Sequence, residues 1–139
     1  MKRRITLRND IREIPALSAF VDGLAEEASL DPALAASLNL ALEEAVTNVI
    51  MYAYPEGEAG QIEVQAERFD DRFEFTVIDS GRPFDPTSVP DADITLGVAE
   101  RPVGGLGIFL VRRIMDSVSY VREQGRNVLR MLKKTSQAV

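Results

Sequence analysis

The sequence predicts an α+β fold: a two-layer sandwich with helices on one face of a mixed, mostly antiparallel sheet. Two observations carry that reading. Three stretches repeat apolar residues at steps of three and four, the spacing of a helix, and five alternate at the spacing of a strand. Their order is strand, two helices, hairpin, long loop, helix, hairpin, with no internal repeat and no break between domains, so residues 1–139 read as one unit.

Each element has a local reason. Residues 2–8 alternate polar and apolar and read as an edge strand. Ile14, Leu17, Val21, Leu24 and Ala28 form an amphipathic stripe on a helix beginning near Pro15. Asp31-Pro32 marks the next start, with an expected N-cap carboxylate and proline at the first helical position. Leu34, Leu38, Leu42, Ala45 and Val49 are its core stripe, and Tyr54-Pro55 ends it, because proline disfavours helix in the residue before it. Ile62, Val64 and Ala66, then Phe73, Phe75 and Val77, alternate on either side of Asp70-Asp71 and predict a hairpin. Residues 82–103 are rich in Pro and Asp without a period, and a loop of that length is expected to be a lid. Ile108, Val111, Ile114 and Met115 define a third helix. Val118–Val121 and Val128–Leu132 make the last hairpin around Gln124-Gly125.

Composition excludes several functions. The net charge of −6 argues against nucleic acid as a main partner, because a phosphate backbone rewards a basic face. Without Cys there is no disulfide and no thiolate metal site. Without His there is no His-based triad, no His metal site and no histidine phosphoacceptor. No signal peptide and no long apolar span are visible in the pattern, so a cytoplasmic protein without membrane attachment is expected.

Three segments carry the chemistry. Glu44 and Asn48 lie one turn apart on the same helix face, beside the core stripe. An Asn oxygen suits Mg²⁺, and a Glu accepts a proton from a hydroxyl attacking a phosphate; Glu43 beside them reads as merely solvated. Asp79 continues the apolar face of Phe73, Phe75 and Val77. A carboxylate there needs a partner, and the amine of a flat base such as adenine would serve, with Gly81 letting the ring approach the backbone. Gly104-Gly105-Leu106-Gly107 opens a helix, where backbone N–H groups converge on an anion. Arg101 and Arg126 are phosphate contacts or surface charges, Asp85 is a turn or cap residue, and Leu96 and Val98 either anchor the lid or meet a partner.

Taken together, Glu44…Asn48, Asp79-x-Gly81 and Gly104-Gly105-x-Gly107 resemble the nucleotide-binding boxes of the Bergerat-fold (GHKL) ATPase superfamily. Glu-Ala-Val-Thr-Asn (44–48), followed by Ala53-Tyr54 and a closing Gly125-x-x-Val128, most resembles the bacterial anti-sigma-factor serine/threonine protein kinases. The resemblance implies ATP with Mg²⁺ as cofactors, Glu44 as catalytic base, and Asn48 as metal ligand. It places Asp79 and Gly81 at the adenine, and Gly104, Gly105, Leu106 and Gly107 at the phosphates. It also implies a STAS-type anti-anti-sigma protein as phosphoacceptor, a sigma factor as a sequestered partner, and a homodimer. The alternative is a nucleotide-gated binding protein without kinase activity. Two positions depart from the family pattern. Tyr52 stands where a His is common, and Arg126-Asn127 follow Gly125 where a Thr is common, which turns attention to Arg126 and Asn127 as nucleotide contacts.

Overall fold

The computed structural model describes residues 1–88 and 105–135. Strand β1 (Lys2–Arg8) leads through a 3-10 turn (Ile11–Glu13) into α1 (Ile14–Glu27). Helix α2 (Pro32–Asn48) runs on as a π-helical turn (Val49–Ala53). The hairpin of β2 (Gln61–Arg68) and β3 (Arg72–Asp79) follows, then a 3-10 turn (Pro86–Ser88) and α3 (Gly105–Ile114). A second hairpin, β4 (Ser117–Glu123) and β5 (Arg126–Lys134), closes the fold.

The strands form one sheet in the order β1-β2-β3-β5-β4. The sheet expected to be mixed and mostly antiparallel has every ladder antiparallel. The reason lies in the crossover. After β3 the chain passes through α3 and lays β4 at the far edge in the same direction as β3. The tight turn then sends β5 back between them, antiparallel to both. That placement sets Asn127, at the start of β5, directly opposite Asp79, at the end of β3.

Strand alternation decides which face is covered. Ile62, Val64, Ala66, Phe73, Phe75, Val77, Leu129 and Met131 point to the core. The helical stripes meet them: Leu17, Val21 and Leu24 from α1, Leu38, Leu42 and Ala45 from α2, and Ile108 and Val111 from α3. Phe73 and Phe75 stack at 5.6 Å, and burying each such ring contributes about 1.5–3 kcal/mol.

The helix ends differ from the sequence reading in one respect. Asp31 makes no side-chain cap hydrogen bond, and Pro32 alone marks the start of α2, where its missing N–H is one the helix would leave unpaired anyway. At the end of α1, Leu30 N bonds Ala25 O at 2.9 Å and Ser29 N bonds Glu26 O at 3.1 Å. Ser29 sits at φ 54°, the left-handed position that completes this reverse turn. Glu43 is not simply solvated: it is half-buried between α1 and α2 and accepts a hydrogen bond from Ser18 Oγ. The helical run Pro32–Ala53, with mean hydropathy 1.2, does meet the length and composition of a membrane span. Its apolar side is explained by the fold, since Leu38, Ala41, Leu42, Ala45, Val46 and Ala53 are buried in the core.

Candidate functional site

Glu44 and Asn48 share one face of α2, as the spacing predicts. Asn48 is buried and Glu44 is half-buried. Gly107 of α3 faces them: a Cβ there would lie 3.0 Å from Glu44 Oε2, 3.3 Å from Asn48 Nδ2 and 3.4 Å from Asn48 Oδ1. The missing side chain of Gly107 thus lets the first turn of α3 close on the carboxylate and the amide. Among the described residues helix α3 begins at Gly105, so Gly105 and Gly107 lie in its first turn, whose N–H groups have no helical acceptor there.

Asp79 is 3% exposed on the core face of β3. Its Oδ1 accepts Gly81 N and Asn127 Nδ2, each at 2.9 Å. Burial pushes its carboxyl above the ordinary range, and the hydrogen bonds from Asn127 and Gly81 and the charge of Arg122 pull it back. Both donors fall on one oxygen, which leaves Oδ2 for a further donor.

Gly81 is held by backbone. A Cβ there would lie 2.3 Å from Ala53 O, and Arg82 N donates to that same carbonyl at 2.8 Å. The glycine is therefore required by the protein's own chain, in addition to any ring it was expected to admit. Ala53 ends the helical run that carries Asn48, so this contact fixes Asp79 relative to the Glu44–Asn48 pair. Tyr54 adds a second tie, donating to Gln61 O at 2.8 Å and accepting Ser80 N at 3.1 Å. Burial raises the Tyr54 phenol above its usual value. Tyr52, in the place where the family often has His, lies 5.4 Å from the Phe84 ring, and its carbonyl accepts Arg82 Nε at 2.7 Å.

Gly104, Arg101, Leu96 and Val98 lie outside the described residues, as do residues 89–103 of the expected lid. The first part of that segment is pinned. Asp85 accepts Thr87 N at 2.8 Å, as its reading as a cap anticipates, Pro86 is buried, and Arg112 Nη2 donates to Thr87 O. Arg126 is exposed at the hairpin tip and makes no hydrogen bond or ion pair among the described residues. The guanidinium that reaches this region is that of Arg122, whose Nη1 donates to Gly81 O at 2.8 Å. Asn127 and Arg122 are the residues that spacing alone did not assign. Asn127 continues the core face of Leu129 and Met131, the same register signal that singled out Asp79.

The residues present fit a magnesium nucleotide. Among the described residues no cluster of three carboxylates or other strong ligands exists. A cation at Asn48 would therefore depend on ligand oxygens and water, the usual habit of Mg²⁺. Where the first turn of α3 meets α2, such an oxygen donor and a carboxylate lie beside the backbone N–H groups of a helix start. Asp79 supplies a buried carboxylate whose hydrogen bonds among the described residues fall on Oδ1 alone.

Fold and site together define a nucleotide-binding ATPase domain. The chain belongs to the histidine kinase-like ATPase domain family, whose profile matches residues 7–133. It is 33% identical over 96 residues to the serine-protein kinase RsbW of Bacillus cereus (strain AH187), 66% of this chain and 59% of that protein. The RsbW of Bacillus thuringiensis is 33% identical and that of Bacillus mycoides 32% identical over the same length. The chain thus aligns with about three fifths of these relatives, 59% of each. The fold is shared with the crystal structure of the RsbU and RsbW domains of a Mycobacterium tuberculosis protein. The TM-score is 0.70 at 18% identity, covering 99% of this chain and 33% of that one.

Proposed function

We propose that the protein is an ATP-dependent serine/threonine protein kinase and anti-sigma factor. In this reading it phosphorylates a STAS-type anti-anti-sigma partner and sequesters a sigma factor when that partner is phosphorylated. The observation that carries it is the close approach of Gly107, in the first turn of α3, to the Glu44 carboxylate and the Asn48 amide. The likeness to RsbW serine-protein kinases supports the same activity.

The roles follow from chemistry. Mg-ATP would supply the γ-phosphoryl group, with ADP leaving as the β–γ bond breaks, and a cation that offsets the charge. Asn48 would hold the cation, and Glu44 would take the proton of the attacking hydroxyl. Gly104, Gly105, Leu106 and Gly107 bind phosphate oxygens through backbone N–H groups. Asp79 Oδ2 accepts the adenine amine. Glu44 is the residue that separates a kinase from a purely nucleotide-gated switch, because a switch needs no base.

The test is a Mg-ATP titration by calorimetry of wild type beside Asp79→Asn, followed by transfer from γ-labelled ATP to a STAS-domain protein. Magnesium-dependent binding lost in the variant, with labelled serine or threonine in the partner, is the expected result. Binding without transfer to any STAS protein would leave a nucleotide-gated binding protein.

A further inference from the structure

We propose that Asn127 is the positioning residue of the nucleotide site. Its amide holds Asp79 Oδ1, leaving Oδ2 for the base, and ties that carboxylate to Arg82–Phe84, so that base recognition and the order of this segment are coupled. The proposal rests on the reading of Asp79 as the base acceptor.

Asn127 is 4% exposed, and all four of its hydrogen-bonding capacities are filled. Nδ2 donates to Asp79 Oδ1 at 2.9 Å and to Arg82 O at 2.9 Å. Oδ1 accepts Phe84 N at 3.1 Å and Tyr120 Oη at 2.5 Å. Two of these partners are backbone groups of the segment leaving β3, one is the base-recognising carboxylate, and one is a β4 side chain. The amide has a single workable orientation. Flipped, its oxygen would face the Asp79 carboxylate and the Arg82 carbonyl, and its NH₂ would face the Phe84 N–H.

The chemistry also says why asparagine stands here. A hydroxyl has one proton and reaches either Asp79 or the Arg82 carbonyl, whereas the amide serves both. Asparagine at this position therefore links the carboxylate to the segment. A ligand amine on Oδ2 fixes the carboxylate further, and through Nδ2 that restraint reaches Arg82 and Phe84. An ordered network of this kind is stronger as a whole than its separate bonds.

The test uses the full chain and two readouts, one of which needs no ligand. In the free protein, carboxyl-carbon NMR follows the titration of Asp79, and hydrogen exchange follows the Phe84 and Gly81 amides. The charged and titratable groups facing Asp79 are Arg122 and Tyr120 of β4 and Tyr54 after the π-helical turn. Asn127→Thr is expected to raise the Asp79 midpoint and to speed Phe84 exchange by roughly tenfold, the scale of one lost hydrogen bond to a charged network.

Asn127→Asp gives the sharper readout. It keeps both accepted bonds and replaces the donor with a carboxyl. At alkaline pH two carboxylates oppose each other and ATP binding falls at least about tenfold. On acidification the new carboxyl gains a proton it can donate to Asp79, and binding recovers, opposite to the wild-type slope. Tyr120→Phe, which leaves the ring in place, is the control for folding and is expected to speed Phe84 exchange without moving the ATP pH profile. Unchanged Phe84 exchange and an unchanged Asp79 titration in both Asn127 variants would overturn the proposal, whether or not ATP binds. Failure of the wild type to bind ATP would instead count against the base-acceptor reading.

Discussion

Gly107 packs directly on Glu44: a Cβ on the glycine would lie 3.0 Å from the carboxylate Oε2, with the Asn48 amide nearly as close. That separation is tight, and what must yield is the end of a flexible side chain. Gly107→Ala is therefore expected to fold. Gly107 lies in the first turn of α3, and alanine there gains up to about 1 kcal/mol of helix propensity. The displaced carboxylate and amide are the proposed base and metal ligand, so phosphotransfer is expected to fall at least about tenfold. A thermal melt unchanged or raised beside a lost transfer rate is the expected pair of results. Full activity in a folded variant would detach Gly107 from the site.

Glu44→Gln keeps the shape of the side chain and removes the base. It is expected to retain Mg-ATP affinity within a few-fold and to lose roughly 10²–10⁴ of the transfer rate. Calorimetry and a single-turnover transfer assay on the same preparation check both halves. Retained transfer would remove Glu44 from the proton path and leave its contact with Gly107 as packing alone.

Asp79 should show a conflict between stability and binding. Burial first, moderated by the bonds from Asn127 and Gly81, holds its carboxyl above the ordinary value. A raised folded pKa means that the folded state prefers the neutral form. Its favourable contribution is complete below the unfolded value and is lost as pH rises through the folded one. The ionised carboxylate therefore costs stability at neutral pH, and Asp79→Asn removes that cost. The variant is expected to melt no lower than wild type near neutrality, with its advantage shrinking as pH falls. ATP affinity runs the other way, since the base needs an acceptor: wild-type binding weakens as pH drops through the Asp79 titration. A variant that melts lower and binds ATP normally would contradict both halves.

Gly81 and Gly107 are both close-approach glycines, and they predict opposite outcomes. At Gly81 a Cβ would meet the Ala53 carbonyl at 2.3 Å, which is backbone and is already bonded to Arg82 N. Gly81→Ala is expected to destabilise the fold by about 1–3 kcal/mol, the range for overpacking a filled interior. Urea titration of the two alanine variants side by side checks the contrast.

The pattern of legibility follows from the physics. Glu44, Asn48 and Asp79 were readable because each sits in register with an apolar stripe, and a polar residue there stands out. The order of the strands was not readable, since the crossover through α3 that places β4 at the edge leaves no mark on local spacing. Asn127 stands out in the sequence only as a departure from the family pattern, and its pairing with Asp79 was not readable because a strand beginning at Val128 stops short of it, whereas β5 begins at Arg126. One residue further back, the alternation Leu129, Met131 would have reached Asn127 and matched it to Asp79. Gly81 was read for a ligand and answers to Ala53, a contact between chain segments that no sequence spacing displays.

Ser29 offers a test of the frame apart from the site. It closes α1 at φ 54°, with Leu30 N on Ala25 O at 2.9 Å and Ser29 N on Glu26 O at 3.1 Å. Helices end this way most often with glycine, because a Cβ crowds the following carbonyl in the left-handed region. Ser29 is exposed, so nothing else in the packing depends on its side chain. Ser29→Gly relieves that crowding at the cost of a more flexible unfolded chain. The balance is expected to stabilise the fold by about 0.5–1 kcal/mol. Denaturant unfolding should show a higher midpoint with an unchanged slope, and Mg-ATP affinity should stay at the wild-type value. A lower midpoint would mean that the serine side chain contributes more to this turn than its exposure and backbone bonds indicate.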